Sequence, residues 1–363
     1  MSAATSTTDA RAAHPVLRRI VGQPRAQVSL ASFVDSPVHA FLFLGPSGSG
    51  KREAARAFAA ALICPNGGCG ECEVCASVLE ESHPDFVVVE RQGASISVEE
   101  AREIVQLAQL TPKVADRQVL VLTEFHLVDE AGTALLKTIE EPPETTVIVV
   151  LADLRTRPLE TIASRCVEVE FIPIDIDAIA QALMSQGVGH EVALAAATGA
   201  RGSLDRARLL AADPGFVERE ARWRSIPDRL DGTGASIACL ADELVEAGEG
   251  LVEVLRAQQE VEVEEADKRA KDAGLKRTPN RKAIEDRHRR ELRRVRTDEL
   301  RAGLALLLAT FRARLGSERA APSRIASLVE INREIEAASS RLRRNVNERL
   351  LLESLLLKIE RAA

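Results

Sequence analysis

Tyrosine is missing from this chain of 363 residues, and aromatic residues make up only 3% of it. Single-stranded nucleic acid is gripped by stacking bases on aromatic rings, so that mode of binding is disfavoured here. Apolar residues still reach 45%, enough to fill cores built of Ala, Leu, Val and Ile. Long apolar runs are also missing: none approaches the roughly 18 residues of a membrane-spanning helix. Residues 1–14 are rich in Ala, Ser and Thr, carry no hydrophobic signal core, and read as a disordered lead. Positive charge is in deficit, with 48 Lys and Arg against 55 Asp and Glu and a formal net charge of −7. Such a chain is a poor autonomous DNA binder, although a local basic face can still meet phosphates. Six cysteines do not make a secreted disulfide framework in a chain this long. Cys166 and Cys239 stand alone, and a reducing cytoplasm fits best.

The other four cysteines are grouped. Cys64, Cys69, Cys72 and Cys75 follow C-x4-C-x2-C-x2-C spacing, which can close a tetrahedral zinc site. Four thiolates leave no open coordination position, and no water-activating acid stands among them, so the metal site is expected to be structural.

Just upstream lies Gly45-Pro-Ser-Gly-Ser-Gly-Lys-Arg52. Glycine-rich loops between a strand and a helix cradle phosphates with backbone N–H groups. Gly45, Gly48, Gly50 and Lys51 are the candidate nucleotide contacts. The position after the lysine should hold a Ser or Thr for Mg²⁺, and here it is Arg52. Two readings stay open: a loop that still holds ATP or ADP phosphates through its amides and Lys51, and a vestigial turn.

Ala40–Leu44 reads as a buried strand feeding that loop, and 52–63 as the helix after it. Further strands are expected at 86–89, 119–122, 147–151 and 167–171. Ser97-Val-Glu-Glu100 is a capping box opening a helix to about Leu110. Asp129 can cap the helix that runs through Lys137 to Glu141, where Pro142-Pro143 stops it. Strands alternating with helices predict a parallel α/β sheet, and continuous apolar runs predict strands covered on both faces. From Ile174 the pattern turns helical, with a linker at Pro214-Gly215.

The third strand ends in Thr123-Glu124, where magnesium chemistry wants an Asp-Glu pair. Arg52 and Thr123 thus remove both magnesium-directed groups. His126 reads as a packing residue. Ser164-Arg165-Cys166 precedes the fifth strand, and Ala134-Leu-Leu-Lys-Thr-Ile-Glu-Glu-Pro-Pro143 precedes the fourth.

With Val21-Gly-Gln-Pro24, these motifs resemble the AAA+ clamp-loader family of bacterial DNA polymerase III. The resemblance implies an AAA+ P-loop parallel-sheet module with an embedded zinc knuckle, a small helical lid and an all-α collar that oligomerises. The expected ranges are 15–173 for the module, with the knuckle at about 64–75, then 174–212 and 216–363. It further implies that Arg165 acts in trans as an arginine finger on a neighbouring subunit's ATP. The family's motor pattern expects Thr or Ser after the lysine, Asp-Glu, a polar sensor after the fourth strand, and Arg after Gly-Ser-Leu. This chain has Arg52, Thr123, Ala152-Asp153 and Gly202-Ser-Leu-Asp205.

Those departures favour the non-hydrolysing delta-prime branch, an accessory part of the polymerase holoenzyme with no or weak ATPase of its own. The implied partners are gamma/tau and delta subunits in a five-subunit arc, with the sliding clamp and primer–template DNA reached through the assembly. Two alternatives stay open: a gamma/tau-type ATPase, and a zinc-bearing DNA-binding regulator on the same scaffold. Residues 260–301 are highly charged, and 281–301 hold nine basic against five acidic residues. They predict a solvated helix laced with pairs such as Glu285–Arg289. Trp223 and the nine phenylalanines are expected to anchor a core or an interface.

Overall fold

The computed structural model describes residues 14–90, 96–128, 132–272, 281–317, 322–342 and 346–362. Contacts divide the chain into two compact units, Met1–Arg208 and Leu209–Ala363.

The first unit is built on five parallel strands: β1 (Ala40–Leu44), β2 (Phe86–Val89), β3 (Gln118–Leu122), β4 (Thr146–Ala152) and β5 (Val167–Glu170). Their order in the sheet is β2-β3-β4-β1-β5, and every pairing is parallel. Its helices are α1 (Pro24–Ala31), α2 (Lys51–Ile63), α3 (Glu73–Leu79), α4 (Val98–Ala108), α5 (Gly132–Glu140), α6 (Arg157–Ala163), α7 (Ile176–Ser185) and α8 (His190–Ala200); the division falls within α9 (Leu204–Ala211).

Side chains alternate across each strand; both faces of β1 to β4 are largely apolar, whereas the edge strand β5 exposes Glu168 and Glu170. Phe41, Phe43, Val149 and Val121 pack with Phe58 and the alanines of α2. Leu42, Ile148, Val150 and Leu120 pack on the other face with Ile104, Leu135, Ile139 and Ile162. The rings of Phe41 and Phe58 meet edge-on at 4.9 Å, one of the aromatic contacts such a chain can make. This is the two-sided burial that the continuous apolar runs predict.

The capping box forms as expected. Glu100 N donates to Ser97 Oγ at 3.1 Å, and Ser97 N donates to Glu100 Oε2 at 2.7 Å, an arrangement worth about 1 kcal/mol. The helix ends at Ala108 and not Leu110, because Gln109 N and Leu110 N turn back to the carbonyls three residues earlier. The fifth strand stops at Glu170, although Phe171 N still donates to Leu44 O at 2.7 Å. Asp129 lies outside the described residues. So does the expected lead, except for His14, whose ring is buried and donates through Nδ1 to Gly67 O at 2.7 Å.

The second unit is helical: α10 (Phe216–Arg229), α11 (Ile237–Asp272), α12 (Arg281–Ser317), α13 (Pro322–Arg341) and α14 (Glu348–Ala362). Trp223, Leu244, Leu304, Leu307, Phe311, Ile331, Ile335, Leu352, Leu356 and Ile359 form its core. Gly303 lies under the Trp223 indole, where a Cβ would overlap the ring. No helix among the described residues is long and apolar enough to cross a membrane.

Candidate functional site

Parallel α/β sheets place ligand sites at the carboxyl ends of their strands, and here the ends of β1, β3 and β4 converge. Gly45 N donates to Ala152 O at 3.2 Å, which joins the glycine loop to the end of β4. Gly48 and Gly50 take positive φ, 75° and 84°, which side-chain-bearing residues rarely adopt. A Cβ at Gly48 would also overlap Ser203, and Leu204 N donates to Gly48 O at 3.1 Å. The loop is thus backed by the turn between α8 and α9. On its other side Gln23, from the Val-Gly-Gln-Pro box, is buried. Its Nε2 donates to Ser49 O and Ile172 O at 3.0 and 2.6 Å.

The loop's cation is already engaged. Lys51 Nζ donates to Gly45 O at 2.5 Å and Pro46 O at 2.7 Å, and lies 3.0 Å from Asp153 Oδ1. Asp153 N in turn donates to His126 Nδ1 at 3.1 Å. His126 is therefore a backbone clamp on the residue that holds Lys51.

Arg52 points into a carboxylate pair. Its Nε and Nη2 donate to Glu81 at 2.8 and 2.7 Å, and its Nη1 donates to Glu90 at 2.7 Å. Arg56 joins Glu81 from the next turn, with Nε 2.8 Å from Oε1. Burial works against the Arg52 charge, but the two carboxylates outweigh it and hold the guanidinium protonated far above its usual range. Thr123, where a magnesium aspartate would stand, donates through Oγ1 to Val89 O at 3.2 Å. The loop and the end of β3 thus hold cations and hydroxyls knitted to this chain's own acceptors.

Arg165 stands elsewhere, between α6 and β5. Its Nε donates to Glu140 Oε2 at 3.0 Å, at the end of α5, and its Nη1 donates to Thr161 O and Ser164 Oγ at 2.8 and 3.1 Å. The side chain is partly exposed, and Glu140 more so. The Ser-Arg-Cys motif therefore presents a guanidinium at the surface, braced by a carboxylate 25 positions earlier. The Cys166 thiol is pushed up to about 12 by burial alone, which leaves it an inert thiol.

The four cysteines of the predicted metal site come together. Their sulfurs all lie within 4.8 Å of one another; a tetrahedron of Zn–S bonds near 2.3 Å sets sulfurs about 3.8 Å apart. Backbone N–H groups point at the sulfurs. Asn66 N donates to Cys64, Gly70 N to Cys75, and Cys75 N to Cys72, at 3.3 to 3.4 Å. Burial raises the Cys64 thiol, but donors from Cys69, Asn66 and Gly68 outweigh it and bring it down to about 6. Cys69 is lowered by the N–H groups of Glu71 and Cys72, whereas burial pushes Cys75 up. A cage of four thiols with inward N–H donors fits a tetrahedral, structural metal. The loop packs on the body of the unit: Val16 N donates to Gly68 O at 3.0 Å, and a Cβ on Gly68 would meet Val16 and Ala61 at 2.7 and 2.8 Å.

Sequence reasoning singled out the loop, the cysteines and Arg165. It missed Glu81, Glu90, Asp153 and Glu140 as the groups that restrain their cations. No local signal marks them, since each lies 25 or more residues from its partner.

Residues 28–175 match the family model described as DNA polymerase III, delta subunit. The delta-prime subunit of DNA polymerase III from Pseudomonas aeruginosa is 38% identical over 137 residues, 36% of this chain and 42% of that protein. The delta-prime subunit from Bacillus subtilis is 30% identical over 177 residues, 47% of this chain and 54% of its own length. The gamma/tau subunit from Mycobacterium tuberculosis is 36% identical over 154 residues, 40% of this chain and 27% of that protein. The chain thus spans about half the length, or less, of the curated relatives it matches. It is similar to delta-prime subunits of DNA polymerase III and also to gamma/tau subunits.

Proposed function

We propose that this chain is a clamp-loader subunit of DNA polymerase III, of the delta-prime kind. It lends Arg165 to a neighbouring subunit's ATP and does not hydrolyse nucleotide itself. One observation carries this reading: Lys51 and Arg52 are held by carboxylates that are largely shielded, Asp153, Glu81 and Glu90, whereas the partner of Arg165, Glu140, is exposed. Phosphoryl transfer spreads negative charge over the equatorial oxygens of the transferred group, and a guanidinium supplied from outside stabilises it. Glu140, Thr161 and Ser164 hold the Arg165 side chain by three donated bonds, so less rotamer freedom is lost when it engages phosphate. Within this reading residues 15–173 are an AAA+ module, 174–212 its lid and 216–363 an oligomerising collar. Gamma/tau and delta subunits are the partners, and sliding clamp and primer–template DNA are reached through them, in the cytoplasm. Four thiolates would hold zinc, which would supply rigidity and no chemistry.

The test is ATP hydrolysis. The purified chain turns over no ATP, and Arg165→Ala leaves assembly with gamma/tau and delta intact while removing one site's share of the complex's hydrolysis. A finger contributes about 10³-fold or more at its site, so that share is lost almost entirely. Undiminished hydrolysis by the variant complex would overturn the assignment.

A second reading, a gamma/tau-type motor, is supported by the retained Lys51 and by the similarity to gamma/tau. Brisk magnesium-dependent turnover by the chain alone would favour it.

A further inference from the structure

Beyond the apolar core of the second unit, α11 and α12 run on together with polar contacts between them. Leu251, Val252 and Leu300 are buried. Farther out, Gln259 Nε2 donates to Glu291 at 2.9 Å, and His288 Nε2 lies 3.0 Å from Glu262. Arg287 also pairs with Glu262, and Arg281 reaches Asp267 at 2.9 Å and Glu285 at 3.0 Å. The expected Glu285–Arg289 pair gives way to this arrangement: Glu285 takes Arg281, and Arg289 reaches Asp286 at 3.5 Å. The outer part of α11 supplies the acids, with seven acidic against four basic residues over 253–272. These cross-pairs tie α12 to α11.

The side of α12 turned away from His288 and Glu291 is basic. A helix turns about 100° per residue, which sets Lys282, Arg289, Arg290, Arg293 and Arg294 on one face, with Asp286 as the acid among them. Arg289 is 74% exposed and Arg294 43%, and Lys282 and Arg293 are exposed as well. From Lys282 to Arg294 the face is about 18 Å long at 1.5 Å per residue. Toward the core the same side carries Leu300, Leu304 and Leu307, so the basic face begins where burial ends.

We propose that this face of α12 docks on the phosphate backbone of duplex nucleic acid without reading its sequence. Four of its five cations are arginines, whose planar forks match phosphate oxygens in pairs. A regular helical row of cations complements a regular array of phosphates better than it does a flexible acidic peptide. From Arg224 to Thr310 the chain has no aromatic residue, so stacking on single strands is unavailable. The inference goes beyond the clamp-loader reading, which gives this chain no nucleic-acid contact of its own.

The test uses the full chain, a fluorescent duplex of about 20 base pairs, and a salt titration from about 50 to 200 mM followed by anisotropy. Weak binding is expected, with a log–log salt slope of about −3 to −4 for some four phosphate contacts. Arg289→Gln with Arg293→Gln reduces that slope by about 2 and weakens low-salt binding about tenfold or more. The control pair Arg224→Gln with Arg333→Gln, also exposed, leaves both unchanged. Because Arg289 and Arg293 lie at the surface, thermal melting confirms that the variants stay folded. An unchanged slope in the Arg289/Arg293 variant, or no duplex binding at low salt, overturns the proposal. So does equal affinity for polyglutamate of matched charge, which would mark an acidic protein as the occupant. Any of these results with Arg165-dependent hydrolysis intact removes this surface and leaves the clamp-loader reading standing.

Discussion

At Lys51 the ammonium of the glycine loop gives its hydrogen bonds to its own chain: two loop carbonyls and the Asp153 carboxylate. A phosphate entering the loop would compete with that carboxylate for the lysine. Asp153→Ala therefore raises affinity for ADP by up to about fivefold, the worth of an ion pair of at most about 1 kcal/mol. Titration with a fluorescent ADP analogue checks this, and an unaltered Kd would mean that the loop amides limit binding. The lysine itself was legible in the sequence, as were Arg52 and Arg165, because each sits in a local motif. Their restraint was not. Asp153 follows Lys51 by 102 positions, Glu81 and Glu90 follow Arg52 by 29 and 38, and only the sheet order brings such groups together. His126 was read as packing, and its part is a hydrogen bond that fixes Asp153.

Elements were legible in proportion to how far their pattern repeats. Continuous apolar runs marked the first four strands and an alternating pattern the fifth, each to within a residue or so. The short helices Pro24–Ala31, Glu73–Leu79 and Arg157–Ala163 carry too few turns for periodicity to show, although Pro in the first turn marks two of them. Position Gly303 shows what an element conceals. Inside a helix, Ala is favoured over Gly by up to about 1 kcal/mol, so sequence alone recommends Gly303→Ala. Packing opposes it, because the new methyl would enter the Trp223 ring, and overpacking costs about 1–3 kcal/mol. The indole is 3% exposed and cannot swing into solvent, so the second effect wins. Gly303→Ala lowers stability by about 1–2 kcal/mol in urea unfolding. A midpoint at or above that of the wild type would show that Trp223 has room to move.

The whole molecule rests on two cores that differ in kind. Residues 1–208 enclose a sheet between helices and add a four-cysteine knuckle seated on Val16 and Ala61; residues 209–363 pack helices around Trp223. Among the described residues each cluster of buried side chains is drawn from one unit, so calorimetry should show two transitions. Metal removal and core overpacking then act on different ones. A structural zinc contributes directly to folding free energy, and the knuckle is tied to the first unit by the Val16–Gly68 and His14–Gly67 bonds. Chelation, or Cys69→Ser with Cys72→Ser, therefore lowers the transition of residues 1–208 by several degrees, at about 2–4 °C per kcal/mol for a unit of this size. The second transition stays in place, and Gly303→Ala shifts that one alone. Zinc measured on the same sample should fall from one equivalent to none. If the ion leaves and both transitions hold, the cysteines are a surface ornament and the knuckle supports nothing. If both fall together, the two units melt as one cooperative body.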